Sequence, residues 1–308
     1  MKVTAIVPRG YCYGVINAIE IAKEARRKYP DDPIYILGMI VHNKYIVQAL
    51  TKLNIITLDD SKKTKNELLN EINKGVVILT AHGSAQTIKD KALKKGLIVI
   101  DATCKDVTNT HNLIKRYVQA GYDVIYYGKK KHPEAEAALS IEVEKVHLIS
   151  EIKDLDNLNI NNDKLVLTNQ TTISILDAQA MFRAVKDKYP MVVIEKEICN
   201  ATRVRQEAIL SLNKEIDIVF VVGDPASNNS NKLAQIAKNT NGIVTYMIES
   251  VADIKTEWLV NKKHAAITSG ASTPTYLTNL VIEYLKNFDE TNEKTYPKPQ
   301  IDINKILD

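Results

Sequence analysis

The sequence predicts an α/β protein made of three small parallel-sheet domains in a pseudo-threefold arrangement. Three observations carry this. The cysteines of this 308-residue chain stand at positions 12, 104 and 199, intervals of 92 and 95 residues, the near-equal spacing of an internal repeat. Each follows a short β-branched run and precedes a stretch whose apolar residues recur at helical spacing. Two further strand–loop–helix stretches then follow in each third. Nine βα units in three sets of three imply parallel sheets with helical crossovers.

In the first third, residues 1–96, Val3–Val7 leads to Cys12 and then to a helix with Val15, Ile19 and Ala22 on one face. Ile34–Leu37 and Val76–Leu79 read as its second and third strands. In residues 97–190, Leu97–Ile100 leads to Cys104 and a helix carrying Leu113, Tyr117 and Val118, with Val124–Tyr127 and Lys164–Leu167 as later strands. In residues 191–288, Met191–Ile194 leads to Cys199 and a helix with Val204, Ala208 and Leu212. Its later strands are Ile218–Val222 and His264–Thr268. Residues 289–308, with Pro297 and Pro299, form a tail that is either a loose end or a strap. The thirds share almost no sequence identity, so the repeat is one of architecture.

Composition narrows the function classes. The formal net charge is +4, and no basic block exceeds Lys129–Lys131. That excludes the concentrated basic face of a dedicated nucleic-acid binder while suiting a small anion. No apolar run approaches the roughly 18–20 residues that span a bilayer. Met1–Arg9 enters a strand directly, without the layout of a signal peptide, so a cytoplasmic protein is expected. Three cysteines in a reducing compartment make a poor disulfide framework, and one is left over in any case.

In parallel α/β sheets the ligand-binding groups gather in loops beyond the carboxyl ends of the strands. Those loops supply Cys12, His42 and His82 from the first third. The second supplies Cys104, His132, Glu134, Gln170 and Thr171. The last supplies Cys199, Ser227-Asn228-Asn229, Ser269 and Ser272. If the domains meet about a threefold axis, one thiolate from each points inward.

Three thiolates at one point select a soft metal or a central iron–sulfur cluster, and a three-cysteine zinc site with an open position fits the symmetry equally well. His42 and His82, each in a loop before a helix, read either as capping residues or as anion ligands beside a helix N-terminus. Ser227 to Asn231 form the densest hydroxyl and amide cluster of the chain. One or two of them suffice as a helix cap, and five in succession, with Ser272, suit a phosphate or diphosphate. Glu134, at the start of a helix, either complements the helix dipole or delivers protons from a closed pocket.

At the level of motifs the chain resembles the IspH/LytB family of 4-hydroxy-3-methylbut-2-enyl diphosphate reductases over nearly its whole length. The resemblance rests on Pro8-Arg9-Gly10-Tyr11-Cys12, Val41-His42-Asn43, Ala81-His82-Gly83 and Asp101-Ala102-Thr103-Cys104. It continues through His132-Pro133-Glu134, Gln170-Thr171-Thr172, Ile198-Cys199, Ser230-Asn231 and Gly270-Ala271-Ser272. It implies that Cys12, Cys104 and Cys199 hold a [4Fe–4S] cluster. It also implies that His42, His82, Ser227, Asn229 and Ser272 bind the substrate diphosphate with His132 nearby, and that Glu134 and Thr171 deliver protons; Asn228, where the family often has serine, can still donate to phosphate and is expected to bind it too. The implied reaction removes the allylic hydroxyl reductively to give isopentenyl and dimethylallyl diphosphates, the last step of the non-mevalonate isoprenoid pathway. A monomer fed by reduced ferredoxin or flavodoxin, with no nucleic-acid or membrane partner, is the corresponding expectation. Two positions depart from the family pattern: Asn228 replaces a frequent second serine, and Lys105 replaces a proline after the second cysteine. Other three-cysteine cluster enzymes, such as quinolinate synthase or aconitase-like dehydratases, and a non-catalytic iron–sulfur sensor are the alternatives. A sensor has no need of the Ser/Asn loop or of Glu134.

Overall fold

A computed structural model describes residues 1–213 and 215–308. Among the described residues, twelve strands form three four-stranded sheets in which every pairing is parallel. The strands are β1 (Lys2–Ala5), β2 (Ile34–Leu37), β3 (Ile55–Leu58), β4 (Val76–Leu79), β5 (Ile98–Asp101) and β6 (Asp123–Tyr127), followed by β7 (Val146–Ile149), β8 (Leu165–Asn169), β9 (Val193–Ile194), β10 (Ile218–Val222), β11 (Val244–Ile248) and β12 (His264–Ser269). Ten α-helices connect them: α1 (Tyr13–Lys28), α2 (Lys44–Lys52), α3 (Lys65–Asn70), α4 (Gln86–Lys94), α5 (Lys105–Gln119), α6 (Pro133–Leu139), α7 (Ile175–Lys188), α8 (Asn200–Leu210), α9 (Asn228–Asn239) and α10 (Thr275–Asn287).

The chain divides into two compact units, one of Met1–Val15, His42–Ala49 and Asn200–Asp308, the other of Ile16–Val41 and Leu50–Cys199. The first unit holds the sheet β1-β12-β10-β11. The second holds β3-β2-β4-β5 and β7-β6-β8-β9.

This topology corrects two sequence-based expectations. Each sheet has four strands rather than three: β3, β7 and β11 were missed. They are edge strands, only partly buried, and polar residues such as Thr57, His147 and Thr245 break their apolar runs. The expected boundaries at 97 and 191 also shift. The strand before each cysteine closes the sheet of the preceding repeat: β5 pairs with β4, β9 with β8, and β1 with β12 from the far end of the chain. Chain segments therefore change sheets at the cysteines and not before the strands that lead to them.

The central strands are buried on both faces, which is why they read as continuous apolar runs rather than alternating ones. Along β6, Val124 and Tyr126 join the core under α5 and α6, while Ile125 and Tyr127 face Met181, Phe182 and Val185 of α7. In the second sheet of that unit, Leu37, Val77 and Leu79 pack on Leu68, Leu69, Ile72 and Ile88. In the other unit Val219, Val221 and Ala266 pack on Ile209, Leu233 and Ile236. Full burial of each such side chain contributes roughly 1.5–3 kcal/mol.

The helix after Cys12 buries Val15, Ile19 and Ala22 as expected. The helix after Cys199 follows its expected face in part: Ala208 and, beyond the helix end, Leu212 pack against the core, while α8 buries Thr202, Arg205, Gln206 and Ile209. Polar residues occupy that face because the Arg205 guanidinium donates to the Gly10 carbonyl at 2.8 Å.

One backbone bond recurs in all three sheets. A glycine follows β2, β6 and β10, and its N–H donates to the last carbonyl of the adjacent edge strand. The pairs are Gly38 to Leu58 (2.8 Å), Gly128 to Ile149 (3.0 Å) and Gly223 to Ile248 (2.8 Å). The C-terminal tail is a strap and not a loose end. Ile306 is fully buried, its carbonyl accepts the Tyr11 hydroxyl at 2.6 Å, and Asp302 N–H donates to the Tyr276 hydroxyl at 3.1 Å.

Candidate functional site

Each cysteine is the residue immediately before a helix: Cys12 before α1, Cys104 before α5, Cys199 before α8. Each also makes the same backbone bond. Cys12 N–H donates to Ala271 O (3.0 Å), Cys104 N–H to Ala81 O (3.0 Å) and Cys199 N–H to Thr171 O (3.1 Å). The acceptors lie in the loops that follow β12, β4 and β8, so an interior strand of each sheet sets the position of one cysteine. None of the three is in a disulfide, and each is partly exposed. Three partly exposed sulfur residues held in one local geometry, each at the positive end of a helix, suit thiolate ligation of a metal cluster.

In the unit containing Cys12, the loop before the cysteine needs glycine at position 10. Gly10 has φ +76°, and a Cβ there would lie 2.3 Å from Thr275 Oγ1. Gly10 N–H donates to Ser269 Oγ at 2.7 Å. Burial raises the Tyr11 phenol above its ordinary pKa.

The Ser/Asn cluster begins α9, and its members divide their work. Ser227 is the N-cap, its Oγ accepting Ser230 N–H at 3.3 Å and the Ser230 hydroxyl at 3.0 Å. Asn231 Nδ2 donates to Pro225 O and Ser227 O. Asn229 is 4% exposed, yet neither its amide oxygen nor its nitrogen has a hydrogen-bond partner among the described residues. A buried amide without partners is rare, because each unmade bond costs about 1–3 kcal/mol. Such an amide, beside backbone N–H groups at a helix N-terminus, fits an anionic ligand. Asn228 is buried alongside it, and Ser272 Oγ donates to the His42 carbonyl at 3.1 Å, joining two of the predicted diphosphate loops.

In the other unit His82 follows β4, and its loop turns at Gly83 (φ +83°), where a Cβ would lie 2.9 Å from the His111 ring. Lys65 Nζ donates to Gly83 O (3.0 Å) and Ser84 Oγ (3.1 Å), and burial lowers its pKa to about 8. The His82 and His132 rings meet edge to face at 5.4 Å. His132 is the N-cap of α6, with Nδ1 accepting Glu134 N–H at 3.2 Å, and Pro133 occupies the first helical position, where its missing N–H costs nothing.

Glu134 is 2% exposed. Thr171 donates its N–H to one carboxylate oxygen (2.7 Å) and its hydroxyl to the other (3.1 Å). Burial pushes the Glu134 carboxyl up to about 7; the two Thr171 donors oppose the shift and the Asp106 carboxylate adds to it. The Tyr126 phenol, wholly buried, faces the same carboxyl. Thr171 thus joins two candidate site residues, since its N–H donates to Glu134 and its carbonyl accepts from the Cys199 N–H.

Within the first unit the structure brings His42 to Ser272 and ties the Cys12 backbone to the neighbouring Ala271. Within the second it brings Glu134 to Thr171 and His82 to His132, and ties the backbones of Cys104 and Cys199 to the loops of His82 and Thr171. Sequence reasoning missed Tyr126, Lys65 and His111. Tyr126 looks like an ordinary apolar strand residue, and no local pattern marks the polar side chains of Lys65 and His111 as partly buried.

Comparison with known proteins gives the family. The LytB protein family matches residues 3–286. The chain is 47% identical to the 4-hydroxy-3-methylbut-2-enyl diphosphate reductase of Geobacillus kaustophilus (strain HTA426), covering all of this chain and 97% of that protein. It is 48% identical to the protein of the same name from Bacillus subtilis (strain 168), covering all of this chain and 98% of that one. Its structure is similar to that of the E-1-hydroxy-2-methyl-but-2-enyl-4-diphosphate reductase from Plasmodium falciparum, with a TM-score of 0.87 at 32% identity over 94% of this chain and 89% of that one. A second solved structure, of an (E)-4-hydroxy-3-methyl-but-2-enyl diphosphate reductase described as the terminal enzyme of the non-mevalonate pathway, has a TM-score of 0.66 at 28% identity. That match covers 94% of this chain and all of the other.

Proposed function

The chain belongs to the LytB protein family, and on that premise we propose that it is a 4-hydroxy-3-methylbut-2-enyl diphosphate reductase. It removes the allylic hydroxyl of its substrate as water, with two electrons and two protons, to give isopentenyl and dimethylallyl diphosphates. Cys12, Cys104 and Cys199 hold one [4Fe–4S] cluster, the ligand set that their shared local geometry supports. When bound, such a cluster supplies electrons and Lewis acidity.

The protein's own residues do the rest. The N-terminus of α9, with Ser227, Asn228 and Asn229, binds the diphosphate together with His42, His82 and Ser272, and His132 completes the set. Those contacts are remote from the bond that breaks, so their binding energy serves orientation. Glu134 holds the proton. A carboxyl with its pKa near 7 is protonated often enough at neutral pH to give a proton and acidic enough to release it. Thr171 fixes the carboxyl through both of its oxygens. Reduced ferredoxin or flavodoxin supplies the electrons, and the enzyme works as a monomer in the cytoplasm. Among the described residues no helix is long and apolar enough to cross a membrane.

The buried, Thr171-clamped Glu134 carries this reading, because a cluster that only stored or sensed electrons would gain nothing from a buried acid. The test is anaerobic turnover of the allylic diphosphate with a reduced viologen dye as donor. Oxidation of the dye with release of the two five-carbon diphosphates is expected. A cluster-loaded protein that leaves the substrate intact would overturn the proposal.

A further inference from the structure

Asp224 is a carboxylate buried in the loop just before the proposed diphosphate site, where a negative charge repels the ligand. It is 8% exposed, three residues before the N-cap Ser227. Its Oδ1 accepts Ala226 N–H at 2.8 Å within its own loop. Its Oδ2 accepts the backbone N–H of Lys44 at 3.0 Å, 180 residues away in sequence. Lys44 is the first residue of α2, directly after His42 and Asn43. The side chain of Asn43 serves the next two amides of that helix, Tyr45 N–H at 3.0 Å and Ile46 N–H at 3.3 Å. The Lys44 N–H is the one that this cap does not reach, and Asp224 takes it. The Lys44 ammonium forms an ion pair with Glu249, which follows the neighbouring strand β11, a second link from α2 to the same sheet.

We propose that Asp224 is a positioning residue that clasps the His42 loop to the N-terminus of α9 and sets the spacing of the groups that grip the diphosphate. The proposal rests on the function proposed above. One side chain must accept an N–H at each of two oxygens while bridging two loops. A carboxylate does this, whereas an asparagine offers only one acceptor oxygen. Both Asp224 oxygens are occupied by amides, which offsets the charge where the ligand is anionic. Ser272 donating to the His42 carbonyl closes the other side of the same loop, so His42 is held between two fixed neighbours.

The bond can be cut from either end. Asp224→Ala removes the acceptor. Lys44→Pro removes the donor at the first position of a helix, where proline is tolerated. Lys44→Ala keeps the N–H and serves as the control for loss of the ammonium group. We expect Asp224→Ala to raise both the KM for the allylic diphosphate and the dissociation constant of inorganic diphosphate about tenfold, the scale of one hydrogen bond to a charged group. Its kcat and iron content should stay near those of the unaltered enzyme. Lys44→Pro should weaken diphosphate binding about tenfold more than Lys44→Ala. The double variant Asp224→Ala/Lys44→Pro should be little worse than either single one, because both remove the same bond. If Asp224→Ala folds poorly, the two Lys44 variants decide alone. Equal binding by Lys44→Pro and Lys44→Ala overturns the clasp and leaves the proposed function standing. Failure of the unaltered, cluster-loaded enzyme to bind diphosphate overturns both.

Discussion

Thr171 donates to both oxygens of Glu134, its N–H at 2.7 Å and its hydroxyl at 3.1 Å, inside a pocket where burial pushes that carboxyl up to about 7. Below that pH Glu134 carries a proton. Loss of the proton-bearing form above it should lower kcat tenfold per pH unit when proton delivery limits turnover. Glu134→Gln retains size and most hydrogen bonding without the titratable proton. Its turnover should fall by about 10²-fold or more with substrate affinity kept. Single-turnover reduction by anaerobic, cluster-loaded protein measures this. A glutamine variant working at nearly the normal rate would mean that the proton comes from elsewhere.

The same shift has a consequence for stability. The folded pKa of Glu134 is about 7 against an unfolded value of 4.5, so between these values the folded state binds the extra proton. Its contribution is complete below the unfolded pKa and is lost as pH rises through the folded one. Urea unfolding of the cluster-free protein should show stability falling from about pH 5 to about pH 8, and Glu134→Gln should flatten that slope.

Cys104→Ser should abolish stable cluster binding, because a serine hydroxyl is a poor substitute for a thiolate. The backbone bond to Ala81 does not involve the sulfur, so the fold should remain. Iron content and visible absorbance should drop while far-ultraviolet circular dichroism is unchanged. Iron binding that survives in full would remove Cys104 from the ligand set.

His42→Ala, His82→Ala and Ser272→Ala should each weaken substrate binding by roughly 1–3 kcal/mol with the cluster intact. Asn229→Ala separates binding from stability more sharply. Its amide has no partner to lose within the described residues, so truncation should leave unfolding stability equal or slightly higher while binding weakens by a similar amount. Paired calorimetric binding and denaturant titrations would show this. A large loss of stability would instead assign Asn229 a structural role.

Ser230 packs its hydroxyl against two strand ends. A Cβ at Gly270 would lie 2.0 Å from Ser230 Oγ but 3.2 Å from Ser230 Cβ. Gly270→Ala should therefore cost about 1–3 kcal/mol of stability by overpacking, and adding Ser230→Ala should recover most of the loss. At Gly223 the Ser230 Cβ itself is only 2.6 Å away, so the same second change should not rescue Gly223→Ala. Denaturant midpoints of the four variants test both statements.

Features set by local chemistry were legible along the chain. Near-equal cysteine spacing marked the threefold repeat, continuous β-branched runs marked the buried central strands, and hydroxyl, amide and imidazole residues at strand ends marked the loops of the proposed site. Those signals are legible because a parallel strand buried on both faces must be apolar throughout, and because a site at its end must be polar. The tertiary structure alone decided which sheet each strand joins. β1 pairs with β12 across most of the chain, and β3, β7 and β11 are edge strands with too weak a pattern to see. It alone turned α8 so that Arg205 is buried, since the carbonyl that receives its guanidinium belongs to Gly10. It alone set the chemistry of Glu134. A glutamate in the first turn of a helix is ordinary, and its proton affinity rises because burial removes water around it, against the two donors that Thr171, 37 residues away, supplies to its oxygens. Periodicity and residue type are local properties of a chain, whereas desolvation and long-range pairing depend on what the rest of the chain places nearby.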